Sequence, residues 1–259
     1  MERSVNAVAD RNLIYDLGVN HGEDTDFYLA KGFQVVGVEA DPRIVDELKE
    51  RFADSIASGR FVLEPVGLME GEERLPFYRN ITCDHWSSFI QEYGCRGSTE
   101  FEVIDVPCVT LRFLIEKYGC PYYLKVDIEG ADRKVLKQLG ALDCRPTYLS
   151  VEEFGTSTID ELAGLGYNMF SIRPQLDKTW ATPPIPPREG NYCPWDFTNR
   201  DSGLFGLEVP DWMPIDSAKA EFHRSVRSVT NEWLPPPGEW YDIHATVWPS
   251  TDEDFVANG

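Results

Sequence analysis

The chain has 259 residues, 42% hydrophobic and 26% charged, enough for one full-sized buried core and far from the composition of a disordered polymer. Its formal net charge of −20 repels polyanions and argues against a nucleic-acid partner. No apolar run approaches the ~18 residues of a membrane-spanning helix, and Met1–Asn12 lacks the apolar stretch of a signal peptide, so the sequence predicts no membrane partner and a cytoplasmic location.

Leu13–Leu17 reads as the first strand, followed by the loop Asp16-Leu-Gly-Val-Asn-His-Gly-Glu-Asp-Thr25 and a helix over Thr25–Lys31. A strand, a glycine-bearing loop and a helix in succession form the place where α/β sheets hold nucleotides. Gly18 and Gly22 allow a tight turn and close approach of backbone to ligand. A dinucleotide fingerprint would put glycine where Asn20 stands, and Asp16 sets a negative charge where a pyrophosphate would lie. That carboxylate suits instead a ligand with a cationic amino group and a sulfonium.

A second strand, Gln34–Glu39, ends in Val38-Glu39-Ala40-Asp41-Pro42, at the spacing where a carboxylate takes the ribose hydroxyls. Glu39 is the candidate, while Asp41 before Pro42 signals a helix over Pro42–Ala53. A strand over Arg60–Val66 precedes Leu68–Pro107, which reads as a turn-rich insertion at the top of the sheet, with His85, Trp86 and the pair Ser87-Ser88. Beyond it come a helix over Leu111–Tyr118 capped by Thr110, a strand over Tyr122–Asp127, a helix over Ala131–Leu139, and strands over Thr147–Glu152 and Asn168–Ile172. This alternation predicts a mostly parallel sheet with helices on both faces.

After Arg173 the composition changes: 12 of the 18 prolines and six of the seven tryptophans follow it, so that stretch cannot be regular sheet throughout. The expected organisation is a core over residues 1–173, with 68–107 as its insertion, and an irregular Pro/Trp-rich C-terminal extension over 174–259 that completes the core and covers the acceptor site. The tail aromatics serve either as packing or as a stacking wall for a ligand. Six scattered cysteines with no C-x-x-C pair read as reduced packing thiols.

Three segments, D-x-G-x-N-x-G-x-x-T at Asp16–Thr25, Val38–Pro42, and Leu124-Lys-Val-Asp-Ile-Glu-Gly130, resemble the FkbM family of methyltransferases, and the similarity runs from about Asn12 to Glu153. The resemblance implies a doubly wound, Rossmann-like class I methyltransferase fold and S-adenosylmethionine as methyl donor, with S-adenosylhomocysteine as product. It also implies a small-molecule acceptor, often a hydroxyl on a sugar, glycoside or secondary metabolite. Carried over by motif, Asp16, Gly18, Asn20 and Glu39 would bind the cofactor; Gly22, Thr25, Ser88 and Asp127 complete the expected set. Two other readings compete: a NAD-dependent oxidoreductase on a similar fold, disfavoured by the missing glycine, and a non-catalytic nucleotide-binding scaffold.

Ligands of open α/β sheets sit beyond the carboxyl ends of the strands, where Asp127 and Glu129 fall. Glu152 joins them if its strand is the neighbour, as the resemblance implies. Crowded carboxylates raise one another's pKa and make better bases for a hydroxyl, or they hold a divalent cation. His85 and His244 are the second-rank bases. The sequence leaves metal dependence and a homo-oligomer open.

Overall fold

The computed structural model describes residues 9–248; most of the N-terminal stretch considered above, and the extension's last residues, 249–259, lie outside the described residues. The elements in order are β1 (Asp10–Leu17), α1 (Glu23–Ala30), β2 (Gln34–Val38), α2 (Pro42–Arg51), α3 (Ala53–Ala57), β3 (Phe61–Glu64), β4 (Gly67–Leu68), β5 (Arg74–Asn80), α4 (Gln91–Gly94), β6 (Phe101–Val109) and α5 (Leu111–Tyr118). Then follow β7 (Pro121–Val126), α6 (Asp132–Leu139), β8 (Tyr148–Glu152), α7 (Thr158–Gly164), β9 (Met169–Pro174), β10 (Met213–Pro214), α8 (Ile215–Ser225) and β11 (Tyr241–Thr246).

The main sheet has the order β10-β9-β11-β8-β7-β1-β2-β3. From β8 to β3 every pairing is parallel, whereas β11 runs antiparallel to both of its neighbours. The chain winds outward in one direction from β1 to β3 and in the other from β7 to β9, so the strand order reverses between β1 and β7. That reversal opens a crevice at the carboxyl ends of the strands.

Period-two alternation decides what each face buries. Leu13, Tyr15 and Leu17 of β1 face one way and pack with Leu124, Val126, Leu149 and Val151 against Leu114 of α5, Leu136 of α6, Leu162 of α7 and Phe222 of α8. Ile14 faces the other way, with Val35 and Tyr123, against Phe27 and Tyr28 of α1 and Leu48 of α2. The helix starts are where the sequence puts them: Asp41 accepts from the Arg43 N–H at 2.9 Å ahead of Pro42, and the Thr110 hydroxyl accepts from Phe113 N–H at 3.2 Å.

The tail covers the second face and supplies much of its core. Phe205 is fully buried, edge-on to Tyr28 and Phe33 and stacked on Tyr123. Trp180, Trp195 and Trp212 pack against the same cluster. Between α1 and the tail, the Lys31 ammonium reaches both oxygens of Glu208 at 2.8 Å, and both side chains are buried.

Three expectations need correction. The insertion over 68–107 is not chiefly turns, since β4, β6 and β5 form a small sheet in which β5 and β6 pair antiparallel from Arg74–Pro107 to Asn80–Phe101. The extension is less irregular than its composition suggests, because it holds α8 and places β11 inside the main sheet. The reading of all six cysteines as reduced thiols fails for Cys120 and Cys144, which form a disulfide. The parallel crossover between β7 and β8 starts both strands at the same edge, which brings together two residues 24 apart in sequence. Among the described residues no helix is long and apolar enough to cross a membrane.

Candidate active site

The loop after β1 is shaped by backbone that few residues adopt. Gly18 has φ 87°, Gly22 has φ 89°, and Asn20 sits at φ 49°, left-handed values that glycine takes freely and asparagine tolerates. The turn brings the Asn20 N–H within 2.9 Å of Glu39 Oε2, while Asp41 N–H donates to Glu39 Oε1 at 2.8 Å. Each Glu39 oxygen thus takes one backbone donor and keeps a second lone pair for a ligand hydroxyl.

A cavity of about 840 Å³ opens at the carboxyl ends of the strands. Gly18, Asn20, Glu39, Asp127, Glu129, Glu152 and His85, all expected from the sequence, line it. Its apolar end is formed by Ile44, Val66, Leu68 and Phe77, its opposite end by Gln175, Ser202 and Trp240 of the tail.

Five expected residues do not face this space. Asp16 is fully buried, the register partner of Lys125 on β7, with Oδ1 3.2 Å from the Lys125 ammonium and Oδ2 accepting the Thr25 hydroxyl at 2.6 Å. Asp16 and Thr25 therefore brace the loop and its lysine from beneath, and the expected direct contact of Asp16 with a cationic ligand is not what the geometry provides. Gly22 turns the chain into α1, where an added Cβ would meet the Phe52 ring at 2.5 Å. The Ser88 hydroxyl donates to the Glu129 carbonyl at 2.7 Å and stands behind the cavity wall. His244 lies inside the sheet on β11, 1% exposed, its Nε2 without a partner and its ring against Trp180. Burial, with the Arg173 and Lys178 charges, pushes its pKa down to about 3. His85 remains at the rim, its side chain 61% exposed.

Sequence reasoning gave no site role to Lys125, Arg96, Asp132 or Asp242. Lys125 lies within 3.5 Å of Asp16, Asp24 and Asp127, and these carboxylates, outweighing burial, keep its ammonium charged. Asp132 accepts from Ile128 N–H and Gly130 N–H, folding the Ile128–Gly130 loop so that Glu129 takes a left-handed φ of 48°. Arg96, from the insertion, meets Glu129 Oε2 at 2.9 Å and lies over the Trp86 ring at 4.6 Å.

Burial is the main reason that several carboxyls here hold their protons tightly. Glu39 is pushed up to about 7, Asp242 to about 7, and Glu129 to about 8, the last despite Arg96 and helped by Asp127. Each group binds its proton more tightly folded than unfolded. Its contribution to stability is therefore complete below the ordinary carboxylate range and is lost as pH rises through 7 to 8. The ligand-free chain is expected to melt several degrees higher at pH 6 than at pH 8.5, since each kcal/mol moves the midpoint by roughly 2–4 °C at this size. Thermal denaturation over that range checks this, and a midpoint that rose with pH would contradict it.

The lining includes eleven Asp and Glu residues against three Lys and Arg. That balance suits a cationic ligand and disfavours a pyrophosphate. A diol acceptor at Glu39, an apolar end for a flat base and carboxylates around Lys125 are the chemistry S-adenosylmethionine requires. Among the described residues no group of three or more His, Cys, Asp or Glu is placed to hold a metal ion.

Residues 16–169 match the methyltransferase FkbM domain. Among solved structures the chain is similar to a methyltransferase FkbM from Methylobacillus flagellatus KT, with 18% identity over 58% of this chain and 35% of that chain and a TM-score of 0.37. The match thus spans about a third of that relative's length. It is also similar to a precorrin-6y C5,15-methyltransferase from Geobacter metallireducens GS-15, with 8% identity, 95% and 84% coverage and a TM-score of 0.39. A third similarity is to an O-methyltransferase from Bacillus cereus in complex with SAH, at 13% identity, 65% and 67% coverage and a TM-score of 0.30. No curated protein matches the chain.

Proposed function

Because the chain belongs to the FkbM family of methyltransferases and is an S-adenosylmethionine-dependent enzyme, we propose that it methylates a hydroxyl of a small molecule or glycoside, on a doubly wound class I core. The observation that carries this reading is Glu129. Its carboxylate lines the cavity, is held by Arg96 and by a left-handed backbone, and titrates near 8.

S-adenosylmethionine, when bound, supplies a methyl group already activated by its sulfonium. Most of the acceleration then comes from holding the acceptor in near-attack geometry. Glu39 would take the ribose hydroxyls, the Gly18–Asn20 backbone would cradle the adjoining chain, and Asp24 and Asp127 would face the cofactor's positive charge. Lys125 offsets the repulsion among these acids. Glu129 would accept the proton of the acceptor hydroxyl, its pKa near neutrality being suited to that task. Arg96 orients it from the insertion. The tail, through Gln175, Ser202 and Trp240, closes the acceptor end.

Labelled methyl transfer from S-adenosylmethionine into fractionated small-molecule extracts tests the reading. The expected product is a methyl ether, and Glu129→Gln is expected to lower turnover by about 10²-fold with unchanged affinity for S-adenosylhomocysteine. Label carried on nitrogen or carbon, or a wild-type rate from Glu129→Gln, would contradict it.

A further inference from the structure

At the tail end of the cavity two carboxylates meet that form no hydrogen bond or ion pair among the described residues. Asp242 on β11 is the register partner of Glu152 on β8. Directly opposed residues of an antiparallel pair project from the same face with Cβ atoms about 4.5–5.5 Å apart, and both residues line the cavity. Asp242 is only 9% exposed, yet among the described residues neither side chain makes a hydrogen bond or an ion pair, and Lys178 and Lys125 act on Asp242 through their charge alone.

The cations nearby act on Asp242 from a distance, Lys178 and Lys125 among them, while their hydrogen bonds and ion pairs go elsewhere. Lys125 is held by Asp16, Asp24 and Asp127, Lys178 donates to Gln175, and Arg173, the partner of Asp242 on β9, pairs with Asp211 at 3.1 Å. Arg200, at the same end, is largely exposed and stands 3.9 Å from Glu23. Like charges directly opposed are destabilising, and a buried carboxylate without a partner is costly. In line with this, burial and the neighbouring acids push Asp242 up to about 7 against the Lys178 and Lys125 charges, and push Glu152 well above its usual range. The pair calls for a proton or a cation. Trp240 lines the same end, and an aromatic ring beside carboxylates favours an organic cation.

We propose that Glu152 and Asp242 form a recognition site for a ligand ammonium, so that the methyl acceptor is a small molecule carrying a protonated amine besides the hydroxyl that is methylated. The inference rests on the reading of the cavity as a methyltransferase site. The cofactor has an amino group of its own, but strand spacing argues for the acceptor. β8 lies three strands from β2, which carries the chain to Glu39, a separation of roughly 14 Å. β7, one strand nearer to Glu39, carries Lys125 with Asp127 and Asp24 around it, and these two carboxylates are the ones placed to take the cofactor's own ammonium.

The test uses the full chain loaded with S-adenosylhomocysteine and small amines paired with neutral counterparts, such as glucosamine with glucose and ethanolamine with ethylene glycol, read by thermal shift and calorimetry. Amines are expected to raise the midpoint more than their counterparts. Asp242→Asn and Glu152→Gln, near-isosteric changes that relieve repulsion and keep the fold, are expected to erase that difference and leave S-adenosylhomocysteine affinity within about twofold. The proposal is overturned if no amine exceeds its counterpart, or if the preference survives both substitutions. It is equally overturned if magnesium chloride alone gives a shift that Asp242→Asn removes. A loss of about tenfold or more in S-adenosylhomocysteine affinity in Asp242→Asn would assign the ammonium to the cofactor and also overturn it. Failure of the wild-type chain to bind S-adenosylhomocysteine would instead defeat the reading of the cavity, and the proposal with it.

Discussion

Gly18→Ala is expected to abolish binding of S-adenosylhomocysteine and to destabilise the fold by about 4 kcal/mol. A Cβ on Gly18 would stand 1.8 Å from the Asp127 carbonyl oxygen and 2.9 Å from its carbonyl carbon. Both atoms belong to backbone, so no side-chain rotation relieves the overlap. The left-handed φ of 87° costs an alanine a further 1–2 kcal/mol or so. Relief requires the loop after β1 to move away from the end of β7, which breaks the contact of Lys125 with the Gly18 carbonyl at 3.2 Å and displaces the Asn20 N–H from Glu39. Calorimetric titration and thermal denaturation of the variant check both effects, and an alanine variant that bound normally would show that the loop is not held as described. Gly22→Ala would share the left-handed φ cost, but its Cβ would meet side chains, the buried Phe52 ring at 2.5 Å and Leu48 at 3.1 Å, and not backbone.

The second large effect lies far from the chemistry. Lys31→Met is expected to cost about 3–5 kcal/mol, the range for removing one partner of a buried ion pair. Glu208 would keep donors from the Arg188 and Glu189 N–H groups at 3.0 and 3.2 Å but lose the ammonium that reaches both of its oxygens. At roughly 2–4 °C per kcal/mol the midpoint should fall by about 6–20 °C. The double variant Lys31→Met with Glu208→Gln should recover much of that loss, because the uncompensated charge is gone. A single variant as stable as the wild type would mean that the tail is not clamped to α1 through this pair.

What was legible in the sequence is what is encoded locally. The strand before Gly18, the caps at Asp41 and Thr110 and the apolar strand of β7 each lie within a few residues of their signal, and the three motifs that carry the family resemblance fall on those same segments. The small sheet of the insertion was hidden because Pro76 and Pro107 interrupt strands that are half exposed on both sides. β11 was hidden for another reason: its buried positions include Asp242, His244 and Thr246 as well as Ile243 and Ala245, so no alternation of polar and apolar residues marks it.

Register explains the misplaced and missed site residues. Whether Asp16 meets a ligand or a lysine depends on its pairing with Lys125, 109 positions away. The opposition of Asp242 and Glu152 likewise exists only once β11 enters the sheet beside β8. His244, one strand register further along in the same sense, is carried into the core by that insertion and away from the cavity. The Cys120–Cys144 bond has the same origin, two residues brought level by a crossover. Arg96 could have been suspected only from its lying in the insertion, since its contact with Glu129 joins two loops that no local pattern relates.

The most direct test of the central claim, that the crevice between β1 and β7 holds S-adenosylmethionine with Glu39 on its ribose, is calorimetric titration of S-adenosylhomocysteine into the wild-type chain and Glu39→Gln, with NAD as control. The structure leads us to expect saturable binding to the wild type, at least about tenfold weaker binding to Glu39→Gln, a loss of about 1.4 kcal/mol or more, and no heat with NAD. Equal affinity in both chains, or binding of NAD in place of S-adenosylhomocysteine, would contradict the account.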